Sequence, residues 1–164
     1  MEGRIQSLGP WLIRKALRRM EWEGVKPDVL VLAGDLIENG GADSADRDLE
    51  EIAKAASHAG IPLLVVPGNH DGDPERVARI FGCRPVPHRI GEAAFLVLHD
   101  TYDANNVMTR SDAGLRLPAE AAARTSGAAL IALQHNPIYP DIDVPSYPYM
   151  PANVEAIRRS YEGA

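Results

Sequence analysis

The sequence is short of cysteine, of long apolar runs and of positive charge. Its single cysteine, Cys83, excludes an internal disulfide framework and a cysteine-based zinc cluster, and it is compatible with a reducing compartment. No uninterrupted apolar stretch approaches the roughly 20 residues needed to span a bilayer. The opening segment MEGRIQSLGPWLIRKALRRM scatters its charges and has no apolar signal core. The expectation is therefore a cytoplasmic protein with no membrane partner. Seventeen Lys and Arg stand against 23 Asp and Glu, a formal charge of -6. A surface of that sign does not track a polyanion, so nucleic acid is not an expected partner, and any phosphate-bearing substrate must be held locally. Neither a G-x-G-x-x-G turn nor a Walker-type loop occurs, which weakens a reading as a nucleotide-binding α/β domain.

What is present is the length and apolar content of one globular domain, 164 residues at 45% apolar, and residues 1–164 read as a single domain. Apolar runs alternate with helical stretches between Gly, Pro and Asp punctuation, the βαβ rhythm of an α/β fold. Residues 10–23 place Leu12, Ile13, Ala16, Leu17 and Met20 at helical spacing, with Arg14, Lys15, Arg18 and Arg19 on a solvated face and Gly24 as a stop. A buried strand over 29–33 follows. Ser44 is placed to cap a helix with Asp46 and Asp48 in its first turns, a core face of Leu49, Ile52, Ala53 and Ala56, and Gly60 at its close. The run IPLLVVP predicts a strand covered on both faces. Asp73 and Pro74 predict the cap and first position of a helix to Phe81. Strands are expected at 94–98 and 128–133, with a Pro118-initiated helix between them. A Pro-rich stretch over 137–151 leads to a final helix beginning near Pro151.

Polar residues follow three of the apolar strands: Asp35 after VLVLAG, Asn69, His70 and Asp71 after LLVVPG, and His135 after ALIALQ. Open α/β sheets place ligand sites at the carboxyl ends of strands, so these three tips would converge if one parallel sheet held them. Their chemistry suits that convergence. A carboxylate such as Asp35 can bridge two cations about 3.5 to 4 Å apart. Asn69 offers a neutral carbonyl and His135 an imidazole nitrogen. His70 adjoins Asn69 and cannot easily turn onto the same ion; it suits a general acid facing the substrate, with Asp71 orienting its other nitrogen.

Together, PDVLVLAGD at 27–35, VVPGNHD at 65–71 and LIALQHNPIYP at 130–140 resemble the calcineurin-like metallophosphoesterases in order and spacing. FLVLHDTYD followed by GLRLP resembles a segment of their cyclic-nucleotide-phosphodiesterase-like branch. The resemblance implies an α/β four-layer αββα sandwich and a metal-dependent phosphoester hydrolase, either a phosphomonoesterase or a phosphodiesterase. Its substrate would be a small phosphoester or a nucleotide, and its cofactors two divalent ions drawn from Mn, Fe, Zn or Mg. Asp35 would bridge the metals, Asn69 and His135 would bind the second, His70 would protonate the leaving group, and Asp71 would support His70.

The family's Asp-x-His at the first strand and its carboxyl-terminal Gly-His-x-His are both missing: the first histidine is His58 and none follows His135. A chain truncated at both ends is the expectation, with one ion, or only weak metal binding, because one cation keeps only Asp35 of its usual ligands. The rival reading is a catalytically impaired module that binds a protein. Elsewhere, His58 is expected to complement a helix dipole and His88 to lie in a surface loop. His99 and Asp100 are expected to form a hydrogen-bonded pair, and Cys83 to act as a small filler.

Overall fold

The computed structural model describes residues 8–125, 127–139 and 150–164. Residues 140–149, most of the Pro-rich stretch read above, lie outside them, as do the first seven residues. The chain divides into two compact units, Met1–Cys83 and Arg84–Ala164.

Unit 1 runs α1 (Gly9–Trp22), β1 (Leu30–Leu32), α2 (Ala45–Ser57), β2 (Leu63–Val65) and α3 (Pro74–Phe81). β1 and β2 pair in parallel with Leu30 opposite Leu63 and Leu32 opposite Val65, so both strands end at the same edge. The run read as doubly covered is so: Leu64, Val65 and Val66 are all buried. Helix α3 starts as expected, with the Asp73 carboxylate accepting from the Glu75 N–H at 3.0 Å and Pro74 at the first position. Helix α2 departs from expectation at its start. Ser44 makes no side-chain cap bond; its hydroxyl donates to Asp48 Oδ2 at 2.7 Å, because its backbone is already helical and the Oγ cannot reach back to the first N–H groups. Its core face carries Leu49, Ile52, Ala55 and Ala56, with Ala55 replacing Ala53. In α1 the period holds but the coverage does not: Leu12 is 52% exposed and Trp11 48%.

Unit 2 holds β3 (Pro87–Ile90), β4 (Ala93–Val97), β5 (Thr101–Tyr102), β6 (Met108–Thr109), α4 (Asp112–Arg124), β7 (Ala129–Leu133) and α5 (Val154–Glu162). Its main sheet has the order β3-β4-β7, with β4 parallel to β7 and antiparallel to β3. His88, expected in a loop, therefore sits on strand β3 opposite Phe95. The sheet containing β7 is separate from the β1–β2 sheet, so the single parallel sheet expected to hold all three strand tips is replaced by two sheets. Helix α4 begins six residues before Pro118. The Ser111 hydroxyl accepts from the Gly114 N–H at 3.1 Å and starts the helix, and Pro118 is tolerated inside it as a buried apolar contact. Two apolar clusters form the core, Leu96, Leu98 and Ala121 in one and Met108, Ile138 and Ile157 in the other, and Tyr161 packs against both. Five helices and several sheets among the described residues make the fold α/β.

Candidate metal centre and its supporting loops

Parallel pairing of β1 with β2 brings the loop that starts at Gly34 beside the Gly68–Asp71 loop. Asp35 takes a left-handed backbone, with φ of 53°, a conformation that costs a non-glycine residue about 1–3 kcal/mol. Its Oδ1 accepts from the His70 N–H at 3.2 Å. The two loops approach so closely that a Cβ on Gly68 would lie 2.5 Å from Asp35 Oδ1, which is why glycine stands there. Gly40 is similarly confined, since a Cβ there would lie 2.5 Å from the Asp71 carbonyl oxygen. Its N–H donates to the His70 carbonyl at 2.7 Å.

Asp71 is the anchor of this arrangement. It is fully buried, and its carboxylate accepts three backbone N–H groups, from Leu36 at 2.6 Å and Ile37 at 3.1 Å on Oδ1 and from Gly68 at 2.8 Å on Oδ2. Burial pushes its pKa above the ordinary carboxylate value; the N–H groups of Gly68, Ile37 and Leu36 pull the other way, and the nearby Asp35 charge adds to the rise. The role expected for Asp71, orienting the His70 ring, is filled by another group. His70 Nδ1 donates to the Glu38 carbonyl at 2.7 Å, because both oxygens of Asp71 are committed to the main chain. Arg76 completes the clamp. Its Nη2 donates to the carbonyls of Gly40 at 2.6 Å and Asp71 at 2.9 Å, and its Nε lies 3.5 Å from Asp46. No motif marks Glu38 or Arg76; Glu38 acts through its carbonyl, which sequence does not advertise.

The donor set tests the fit of a cation. Asp35 supplies carboxylate oxygens and Asn69 an amide carbonyl, hard donors that suit a divalent ion, whereas Asp71 is spent on backbone. Among the described residues no three His, Cys, Asp or Glu side chains gather as a metal-holding group. A groove of 610 Å³ lined by Arg14, Leu17, Met20, Val25, His58 and Ile61 lies at the opposite, amino ends of β1 and β2, away from these donors.

His135 lies in unit 2, half-buried, two residues past the end of β7. Nearby, Asp100 pairs with Arg110: Arg110 Nε and Nη2 donate to its two oxygens at 2.7 and 2.9 Å, in a bidentate bond whose two side chains are 0% and 2% exposed. Burial works against the guanidinium charge, but the hydrogen bond and charge of Asp100 overcome it and raise the Arg110 pKa. The Gly of GLRLP has its reason here, since a Cβ on Gly114 would lie 2.8 Å from Arg110 Cγ. Burial likewise raises the Tyr161 hydroxyl pKa, against the pull of Arg110. His58 caps the end of α2 as expected, its Nδ1 2.6 Å from the Lys54 carbonyl. Cys83 is a buried filler whose Sγ accepts from the Val65 N–H at 3.4 Å, and burial pushes its thiol pKa up. Arg14, Lys15, Arg18 and Arg19 form an exposed face, with Lys15 over Trp11 at 4.8 Å and Arg19 over Trp22 at 5.0 Å.

Among the described residues no helix is long and apolar enough to cross a membrane. None of the curated proteins compared with the chain matches it. The family model for calcineurin-like phosphoesterases matches residues 6–162, nearly the whole sequence, including both clamped loops and the β7 tip. The chain therefore belongs to the calcineurin-like phosphoesterases, a family of divalent-metal-dependent hydrolases of phosphoester bonds.

Proposed function

We propose that this chain hydrolyses a small phosphoester or nucleotide in the cytoplasm, by attack of water on phosphorus, as a single phosphoesterase domain. Asp35, Asn69 and His135 would hold one divalent cation, Mn being the ion to try first. When bound, such an ion supplies a Lewis acid for the phosphoryl oxygens and lowers the pKa of water toward about 7. The observation that carries the reading is the clamped pair of loops: a strained Asp35 and the Asn69-His70 turn, locked together by Asp71 and Arg76.

The chain's own residues then divide the work. His70 keeps a proton on Nδ1, bonded to the Glu38 carbonyl, so Nε2 is the nitrogen that delivers a proton to the departing oxygen. Asp71 holds the loops and so supports His70 indirectly, through the backbone. A second reading, a catalytically impaired interaction module, is favoured by the apolar residues that α1 leaves exposed, Trp22 at 78% among them.

Hydrolysis of bis(p-nitrophenyl) phosphate and p-nitrophenyl phosphate in Mn²⁺ separates the two readings and the two ester classes. Turnover lost by at least about a hundredfold in both Asp35→Asn and His70→Ala, with folding intact, supports the enzyme. No turnover by the folded wild-type chain supports the interaction module.

A further inference from the structure

The tip of β7 is built differently from the loops of unit 1, and one side chain organises it. The Gln134 carboxamide nitrogen donates to the Asn136 carbonyl at 2.6 Å, making a bridge between the two chain neighbours of His135. Its oxygen accepts from the Tyr161 hydroxyl at 2.5 Å and from Arg110 Nη2 at 3.3 Å. Arg110 Nη1 in turn donates to the Tyr161 hydroxyl at 3.0 Å, and Asn136 Oδ1 accepts from the Tyr102 hydroxyl at 2.6 Å. The residues before and after His135 are thus each fixed, and Gln134 joins them.

We propose that Gln134 is a positioning residue for His135, setting the direction of the imidazole through a bridge between its two chain neighbours that is locked to the Arg110–Asp100 pair. The inference rests on reading His135 as a metal ligand. Only a side-chain amide of this length gives, from one planar group, a donor for the Asn136 carbonyl and an acceptor for Arg110 and Tyr161. A ligand whose backbone is fixed on both sides needs little rearrangement when a cation arrives, and partners that orient a ligating histidine govern affinity as well as shape.

The test uses the full chain, Mn²⁺ titration by calorimetry, and the His135 ring resonances of the metal-free protein, assigned by their loss in His135→Ala. Gln134→Met is expected to lower Mn²⁺ affinity about tenfold and to shift or broaden the His135 ring signals, while those of His58 and His88 stay in place. Tyr161→Phe, which removes one donor and keeps the ring, is expected to move both readouts in the same direction by less; it decides the question if Gln134→Met does not fold. Folded variants with unchanged His135 signals and unchanged affinity would overturn the proposal. If His135→Ala leaves Mn²⁺ affinity intact, the ligand reading fails, and the ring signals alone then decide whether Gln134 orients His135.

Discussion

In unit 1 the loops after β1 and β2 are fixed by backbone N–H groups converging on the carboxylate of Asp71, whereas in unit 2 the loop after β7 is fixed by side chains converging on the amide of Gln134. The first design concentrates the geometry in one atom pair and ties it to the main chain. Neighbouring side chains can change without loosening it, but the anchor itself cannot. The second design spreads the load over Tyr161, Arg110 and Asn136, and beneath it lies an ion pair that is all or nothing.

The sharpest way to break this contrast is to cut the ion pair. Arg110→Met strands Asp100 in the core and is expected to cost about 3–5 kcal/mol in urea unfolding, while Arg110→Met with Asp100→Leu recovers most of the loss. A double variant no better than the single would show that the pair holds no uncompensated charge. Asp71→Ala comes next, at about 2–3 kcal/mol, since three backbone donors lose their acceptor. Its pH dependence carries a sign. The folded-state pKa of Asp71 lies above its unfolded value of 3.8, so the carboxyl's contribution is full below that value and falls as pH rises through the folded pKa. The gap between wild type and Asp71→Ala should therefore narrow with rising pH; a gap that widens would contradict the burial argument.

Gly68→Ala should cost about 1–3 kcal/mol through forced separation of the two loops, and should weaken Mn²⁺ binding with it. Calorimetric affinity unchanged by that variant would show that the loops can part without harm to the site. Smallest is Ser44→Ala. Because the hydroxyl serves Asp48 and not the helix start, its melting shift should correspond to under about 0.5 kcal/mol, whereas a working cap would lose about 1.

The strand tips were legible in the sequence because a continuous apolar run that stops at Gly-Asp or Gly-Asn-His leaves few alternatives, and Asp73-Pro74 announced a helix that formed as written. The bonding of Asp71 was not legible, since an Asp-Gly turn signal hides donors that arrive from residues 36 and 37 across the sheet. Arg110 could not be read at all. The β5–β6 hairpin returns it to Asp100, and that hairpin lay inside what sequence shows only as a loop. Pro118 misplaced the start of α4 because the proline outweighed the Ser111 cap seven residues earlier. The α1 stripe formed at the expected period, yet Leu12 within it is 52% exposed, because periodicity specifies a face and says nothing of what covers it.

Cys83 gives the protein an internal clock. It is the only thiol, it is 2% exposed, and its raised pKa keeps it in the unreactive protonated form. An alkylating reagent must wait for the packing between β2 and the end of α3 to come apart, so a single labelling rate counts how often unit 1 breathes, with no probe added to the chain.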